Sequence, residues 1–270
     1  MQTIHLYDLL EIQKIREPEI QIVSNLSFLP VNENNLVYKA ARLLQEEFAL
    51  TDGISVKLTK RIPVAAGMAG GSTDAAAMLY AMNQLYDLGL SRRELMKRGV
   101  QIGADVPYCL MRGTALAEGI GEKLTQLPPM IKCPVLIAKP SISVSTKFVY
   151  QNLKLDEQTN HPDIDALMKD IREKDFDGVC AHMGNVLESV TIPNYPVIAE
   201  IKQQMMRSGA KASMMSGSGP TVFGLFEDGE TAKRALREMK RSGLAKQVYL
   251  TTIYNNRRNC LLYTSDAADE

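Results

Sequence analysis

The sequence predicts an α+β protein of two domains, and three observations support that prediction. A strand, a glycine-rich loop and a helix follow one another between Ile54 and Tyr86. A proline-dense segment, Leu127–Pro134, then has the composition of a connection between domains. Beyond it the elements are predicted in the order β-α-β-β-α-β, with helical insertions after the first strand, which is typical of a ferredoxin-like layer. We therefore place the domains at residues 1–130 and 131–256.

Composition excludes several classes of protein. The chain has 270 residues, 45% of them hydrophobic and 23% charged, which suits one large globular core or two ordinary ones. A formal net charge of +0 gives no electrostatic reason to expect nucleic acid or an anionic membrane as a partner. No apolar run has the length of a membrane span and no leader opens the chain, so we expect a cytoplasmic protein. The cysteines and histidines show no ligand spacing, which predicts reduced thiols and no metal site.

The first domain is predicted from alternating patterns and helix caps. Strands are expected over residues 1–12 and Ile20–Val23, and Asn34 or Asn35 can cap the helix that follows. Ser91 opens a capping box for another helix. A strand over Gly113–Glu118 then leads into a turn marked by two glycines.

The second domain is predicted from strands and helices that alternate at the expected lengths. Its first strand is Val135–Ala138, and a helix capped by Ser145 follows. The remaining elements are helices over 164–172, 176–190, 196–207 and 230–241, and strands over 211–215, 221–226 and 248–253.

The glycine-rich stretch at residues 61–74 carries the strongest chemical signal. Gly67, Gly70 and Gly71 remove side chains where another group must approach the backbone, and Ser72 or Thr73 can cap the helix that follows. Unpartnered N–H groups at a helix N-terminus bind anions, so this stretch predicts a phosphate site. A plain strand-to-helix turn is the alternative. The spelling fits neither the P-loop nor the dinucleotide fingerprint.

Two further positions are candidates for function. Asp105 lies between a predicted helix end and Pro107 in an apolar neighbourhood, although an aspartate that bonds its own backbone in a turn gives the same pattern. The stretch Met214–Pro220 is a second glycine-serine loop, for which a simple hairpin turn is the alternative.

The pattern P-x-x-x-G-x-x-G-G-S-T beginning at Pro63 resembles the ATP-binding loop of the GHMP kinases. That resemblance implies a ribosomal protein S5 domain 2-like first domain, a ferredoxin-like second domain, and ATP as a cofactor. It also implies that the second glycine-serine loop supports the phosphate loop. The ATP-binding residues implied are Asn35, Lys60, Pro63, Val64, Ala65, Ala66, Gly67, Met68, Ala69, Gly70, Gly71, Ser72, Thr73 and Asp74.

Other stretches are similar to one branch of that family, which phosphorylates the tertiary 2-hydroxyl of a cytidine-diphosphate-linked methylerythritol (CDP-methylerythritol) with ATP and Mg²⁺. They are residues 1–12, 34–44, 103–107, 117–121, 143–150 and 216–223. The resemblance implies that Asp105 is the catalytic aspartate and that Asn35 and Lys60 contact the adenosine part. It implies that Tyr150 stacks on cytosine, with Ser216, Gly217, Ser218 and Gly219 in the substrate-binding or phosphate-loop support. Lys60 as a solvated strand-end lysine and Tyr150 as a core residue remain alternatives.

Two other functions stay open at this point. One is a different GHMP kinase of the homoserine or mevalonate type, which the matches at Gly103–Pro107 and Ser145–Tyr150 disfavour. The other is a nucleotide-binding protein without catalysis. In each case we expect a small-molecule ligand, no nucleic-acid or membrane partner, and a monomer or homodimer.

Both ends of the sequence carry expectations of their own. The family's Pro-Ala-Lys-Leu/Ile-Asn strand and Asp-Gly-Tyr-His turn have no counterpart ahead of Met1, so we expect Met1 to be internal to a longer reading frame. Residues 260–270 match the translation of a transposon-type sequencing adapter, so we expect a non-native tail. Without the family's lysine, we expect the printed chain to bind ATP weakly at best and to lack turnover.

Overall fold

The computed structural model describes residues 1–155 and 161–255. Its first half begins with strands β1 (Leu9–Ile15) and β2 (Ile20–Ser24), helix α1 (Leu36–Glu47) and strand β3 (Gly53–Thr59). Helices α2 (Gly70–Leu85), α3 (Arg92–Ile102) and α4 (Val106–Met111) follow, and then strands β4 (Ala115–Glu118) and β5 (Lys123–Gln126). The second half begins with strand β6 (Pro134–Lys139) and continues with α5 (Thr146–Asn152), α6 (Ile164–Glu173), α7 (Phe176–His182), α8 (Glu188–Asn194), α9 (Val197–Arg207), β7 (Ala212–Met215), β8 (Val222–Leu225), α10 (Gly229–Ser242) and β9 (Gln247–Thr252).

The first half is a small mixed sheet covered by helices. The strand order is β1-β3-β2, with β1 antiparallel and β2 parallel to β3, so α1 forms the crossover between the two parallel strands. Helices α1 and α2 pack together, and their buried residues share one core with the sheet, including Leu44, Val56 and Met78. Asn35 caps α1 and Ser91 caps α3 through a full capping box, as the sequence predicts.

The second half confirms the predicted ferredoxin-like layer. Its sheet has the order β7-β8-β6-β9 with every neighbouring pair antiparallel, which is the order 2-3-1-4 along the chain. Helices α9 and α10 cover one face through residues such as Ile201 and Met239. On the other face, α6 and α7 pack with Leu127, Met130 and Met68, so the glycine-rich stretch of the first half reaches this core.

Two predicted elements differ from the structure. The strand expected from Met1 begins only at Leu9, because residues 1–5 instead bridge β4 and the end of β9 through isolated pairs at Gln2 and Ile4. The helix expected over 176–190 is two helices: α7 ends at His182, and the side chain of Asn185 accepts from the N–H of Leu187, just ahead of α8. The domain boundaries at 130 and 256 stay predictions, and residues 260–270 lie outside the described residues.

Within the described ranges, no helix has the length and apolar character needed to cross a bilayer.

Candidate functional site

The first loop (residues 61–74) connects β3 to α2 and ends at an uncapped helix N-terminus. Helix α2 begins at Gly70, and its N-cap residue Ala69 has a left-handed backbone (φ 51°) and makes no side-chain cap. The prediction that Ser72 or Thr73 caps this helix is therefore wrong: both lie in its first turn, and the Thr73 hydroxyl donates back to the Ala69 carbonyl at 3.0 Å. Without a capping side chain, the first N–H groups of α2 are left for a ligand.

The second loop (residues 216–219) packs directly against the first. The Ser216 hydroxyl donates to the Gly67 carbonyl at 2.7 Å. A Cβ atom at Gly67 would lie 2.1 Å from the Ser216 carbonyl oxygen, so only glycine permits this contact between two backbones. Residues 149 positions apart thus form one surface, as the phosphate-site hypothesis requires.

A buried ion cluster of Asp8, Lys60 and Asp74 supports the first loop. The Lys60 ammonium bonds to Asp8 and, at 2.6 Å, to Asp74, and all three side chains are no more than 4% exposed. The other oxygen of Asp8 accepts from the backbone N–H groups of Arg61 and Ile62, the latter at 2.8 Å. Since Asp74 lies just after the first turn of α2, the ammonium ties the beginning of the loop to the helix that ends it.

Asp74 has an unusual electrostatic environment within the ion cluster. Burial raises the pKa of its carboxyl to about 7, and the Lys60 ammonium opposes that shift. Its Oδ1 atom is buried and has no hydrogen-bond partner among the described residues. The carboxyl therefore exchanges its proton near neutral pH, close to the N-terminus of α2.

The residues predicted to contact adenosine lie close to the first loop, with their side chains engaged. Asn35 is 7% exposed, and its amide accepts from the Val37 N–H and donates to the Pro30 carbonyl at 2.7 Å. The Lys60 backbone bonds in both directions to the amide of Asn25. Because the Lys60 ammonium is held by two carboxylates, its geometry indicates a supporting role, and its contact with adenosine stays a prediction.

The remaining residues predicted for the first loop form its turn. Ala65, Gly67 and Ala69 all have positive φ angles, between 49° and 70°, which curl the chain between the strand and the helix. Pro63 and Ala66 are buried, Val64 is half-buried, and Met68 packs into the core of the second half. Gly71 is exposed at the start of α2.

Asp105 lies beside the first turn of α2. It precedes α4, its carboxyl caps no N–H group of that helix, and burial raises its pKa. A Cβ atom at Gly103 would lie 3.9 Å from the Ser72 hydroxyl, so the turn that carries Asp105 crosses the start of α2. Cys109 of α4 makes a contact of 3.4 Å with the Thr73 hydroxyl on the same side. The structure thus brings Asp105 to the uncapped helix end.

Tyr150 lies on helix α5, which contacts the second loop. Helix α5 begins at Thr146, whose hydroxyl lies 2.9 Å from that of Ser218. Tyr150 is one helical turn further on, on the same face of α5, and is 61% exposed. An exposed ring argues against the alternative of a core residue and leaves a π-face for a ligand.

Sequence reasoning missed Asp8 and Thr146. Asp8 belongs to no local motif, because its partners are 52 or more residues away in the chain. Thr146 follows the predicted cap Ser145, and the Ser-Thr pair ahead of Tyr150 was the one signal that could have indicated it.

Taken together, the site has the parts for phosphoryl transfer. An uncapped helix end and two glycine loops provide backbone donors for phosphate oxygens, and a half-buried carboxylate stands beside them. Within the ranges that the structure describes, no group of three or more His, Cys, Asp or Glu residues could hold a metal ion by itself.

Comparisons with known proteins give a consistent result. The family model of the GHMP kinase N-terminal domain matches residues 35–113, and that of the C-terminal domain matches residues 167–245. The chain is 58% identical to the 4-diphosphocytidyl-2-C-methyl-D-erythritol kinase of Lachnospira eligens, over 94% of this chain and 88% of that protein. It is 53% identical to the enzyme of the same name from Lachnoclostridium phytofermentans, over 95% and 88%.

Solved structures show the same fold. A crystal structure of 4-(cytidine 5'-diphospho)-2C-methyl-D-erythritol kinase matches with a TM-score of 0.79 at 28% identity, covering 94% of this chain and 88% of that one. The homoserine kinase of Cytophaga hutchinsonii matches with a TM-score of 0.77 at 22% identity, covering 91% and 86%. The second match bears on the fold alone.

Proposed function

Since the chain belongs to the GHMP kinases, and among them to the 4-diphosphocytidyl-2-C-methyl-D-erythritol kinases, we propose that it phosphorylates CDP-methylerythritol with ATP. The acceptor is the tertiary 2-hydroxyl of the methylerythritol unit, and the reaction is a step of non-mevalonate isoprenoid biosynthesis. The observation that carries the proposal is the meeting of three parts: the uncapped N-terminus of α2, the second loop at Gly67, and the carboxyl of Asp105.

The first loop holds the triphosphate in this proposal. Phosphoryl transfer depends mainly on positioning and on stabilising the charge that develops on the phosphate oxygens. The backbone N–H groups from Gly67 to Thr73 supply donors at the positive end of a helix dipole. The ion cluster keeps those donors in place, because its bonds reach both ends of the loop.

Asp105 accepts the proton of the substrate hydroxyl. Burial raises the pKa of its carboxyl, which brings the group closer to the working pH and makes it a more effective base. Its side chain caps no helix, so the carboxylate is left for the substrate. Tyr150 stacks on the cytosine ring from α5, and Ser216, Gly217, Ser218 and Gly219 support the phosphate groups.

Three accompanying proposals concern cofactor, partners and compartment. Mg²⁺ arrives with ATP and neutralises charge on the phosphate oxygens. The ligands are small molecules, without nucleic acid, and the protein is a monomer or homodimer. The compartment is the cytoplasm, and free thiols at Cys109, Cys133 and Cys180 suit a reducing environment.

The test supplies the purified protein with Mg·ATP and CDP-methylerythritol and follows ADP release and the phosphorylated product by ³¹P NMR. It is run on the 270-residue chain and, to test the expectation for its N-terminus, on the same chain preceded by the family's Pro-Ala-Lys-Leu/Ile-Asn strand and Asp-Gly-Tyr-His turn. Product from the extended chain supports the proposal. Phosphorylation of homoserine or mevalonate in place of CDP-methylerythritol would overturn it.

Replacing the proposed base gives a sharper prediction. Asp105→Asn in the active form should lower kcat by about a hundred- to ten-thousand-fold, because the variant cannot accept the hydroxyl proton. The dissociation constant for ATP, measured by calorimetry, should stay within about twofold, since a base acts in the transition state. Asp177→Asn is the control, because Asp177 is exposed and pairs with Lys211. Near-normal turnover in Asp105→Asn would reduce Asp105 to a turn residue.

A further inference from the structure

The second loop is held by hydrogen bonds from Asn185, a residue that the proposed reaction does not use. Asn185 lies between α7 and α8 and donates its amide hydrogens to two carbonyls, that of Met215 at the end of β7 at 2.9 Å and that of Gly217 in the second loop at 2.8 Å. Its oxygen accepts from the N–H of Leu187 at 3.0 Å. Because that third bond fixes which end of the amide is the oxygen, the two donors are committed to the loop.

Two residues of α8 make further hydrogen bonds to the same segment. Glu188 accepts from the N–H of Met215 at 2.8 Å, and Lys202 holds its other oxygen at 2.5 Å. Thr191, which is fully buried, donates to the carbonyl of Ser218 at 3.3 Å. The backbone groups of Met215, Gly217 and Ser218 are therefore all hydrogen-bonded to Asn185 and α8, which lie on one side of the loop.

These hydrogen bonds fix the orientation of the peptide group between Gly217 and Ser218. In a trans peptide unit the C=O and N–H groups point in opposite directions. Since the Gly217 carbonyl points to Asn185, the N–H of Ser218 in the same peptide group points away from Asn185. A reversed peptide would present a carbonyl oxygen there, which repels phosphate.

We propose that Asn185 is a positioning residue of the phosphate site, which holds the carbonyl of Gly217 so that the second loop presents the N–H of Ser218 to a phosphate ester. The identity of the ligand rests on the proposed function, whereas the orientation of the loop does not. Asn185 acts through the loop and touches no reacting atom.

The experiment compares two substitutions of the same chemistry at the two ends of one segment. Asn185→Asp keeps the shape and the bond from Leu187 but sets a carboxylate against two carbonyl oxygens. The matched control is Asn194→Asp at the end of α8, where the asparagine donates to the Val190 carbonyl of its own helix at 2.7 Å. Asn185→Ala removes the donors without adding a charge, so it tests the same bonds if the aspartate variant does not fold.

Two readouts are measured on the full chain. Hydrogen–deuterium exchange reports the loop's own bonds, from the N–H of Ser216 to Thr221 and from that of Gly219 to Ser216. Calorimetry with Mg·ATP gives the dissociation constant. We expect Asn185→Asp to speed exchange over residues 216–221 and to raise the dissociation constant, each by about tenfold or more, with Asn185→Ala in the same direction. Asn194→Asp should leave both readouts as in the unsubstituted chain.

The outcomes separate this inference from the proposed function. If neither Asn185 variant changes exchange in the loop, or if Asn194→Asp changes it equally, Asn185 does not position the loop. If exchange rises while ATP affinity stays constant, the residue is structural only, and the inference is overturned. If the unsubstituted chain binds no ATP, loop exchange alone decides the role of Asn185, and the activity test decides the proposed function separately.

Discussion

The two loops that meet at Gly67 are held by opposite kinds of interaction. The first loop is supported by the buried ion cluster, in which Lys60 is 4% exposed and bonds to two carboxylates. The second loop is held mainly by neutral hydrogen bonds from Ser216, Asn185 and Thr191. The loop proposed to carry most of the phosphate charge is thus the one with buried ionisable groups beneath it.

The difference has an energetic consequence. Breaking a buried ion pair leaves an uncompensated charge and typically costs about 3–5 kcal/mol, whereas a neutral hydrogen bond contributes about 0.5–1.5 kcal/mol. The first loop is therefore expected to be rigid and intolerant of substitution. The second is expected to yield in steps as single bonds are removed.

The largest effect is expected from breaking the ion cluster. Lys60→Met leaves Asp8 and Asp74 buried without their cation, so the free energy of unfolding should fall by about 3–5 kcal/mol in urea denaturation. Lys57→Met is the matched control on the same strand, because Lys57 pairs with Glu11 at 2.9 Å in solvent and should cost less than about 1 kcal/mol. Equal losses in the two variants would contradict a supporting role for the cluster.

The contact between the loops is tested next. Gly67→Ala places a methyl group 2.1 Å from the Ser216 carbonyl, so the loops must separate, at about 2–4 kcal/mol for overpacking and strain together. Gly89→Ala has nearly the same backbone (φ 68° against 70°) but meets nothing within 4 Å, and should show the strain alone, about 1 kcal/mol. Calorimetry should find weaker ATP binding only in Gly67→Ala. Matching affinities would show that the contact is dispensable.

A pH effect is expected at Asp74, which belongs to the first loop. The folded pKa of Asp74 is about 7, above its ordinary value of 3.8, so the folded state keeps a proton that the unfolded state has lost. The free energy of unfolding should therefore fall as pH rises from about 4 to 7, by at most about 1.4 kcal/mol per pH unit, and then level off. Asp74→Asn should remove this component. Parallel pH curves for the two proteins in urea denaturation would refute the raised pKa.

The smallest effect is expected at the second loop. Ser216→Ala removes one hydroxyl bond to the Gly67 carbonyl and should cost about 0.5–1.5 kcal/mol. Ser242→Ala removes a bond of 2.8 Å to the Met239 carbonyl at the end of α10 and one of 3.3 Å from the N–H of Leu244, so its stability loss should be at least as large. Only Ser216→Ala should weaken ATP binding, by severalfold in calorimetry. Unchanged ATP affinity in Ser216→Ala would mean that the contact between the two loops does not contribute to ATP binding.

Local signals explain what was predictable. Residues near one another in sequence predict the caps at Asn35 and Ser91 and the glycine turn after β3. They also predict the ferredoxin-like order of elements. Errors arose where a distant partner intervened. Residues 1–5 leave the first sheet because β4 and β9 offer them carbonyl and N–H groups, among them the Ala115 carbonyl that accepts from the Met1 amine at 2.7 Å.

The sequence by itself determined that a strand, a glycine loop and a helix follow one another, and it predicted an anion site there, because glycine spacing and helix ends are properties of a few consecutive residues. Only the tertiary structure decided what supports that site. Asp8 meets Lys60 across 52 residues, and Ser216 meets Gly67 across 149. Such contacts depend on the packing of two cores, and no local pattern of residues encodes which buried charge will neutralise another.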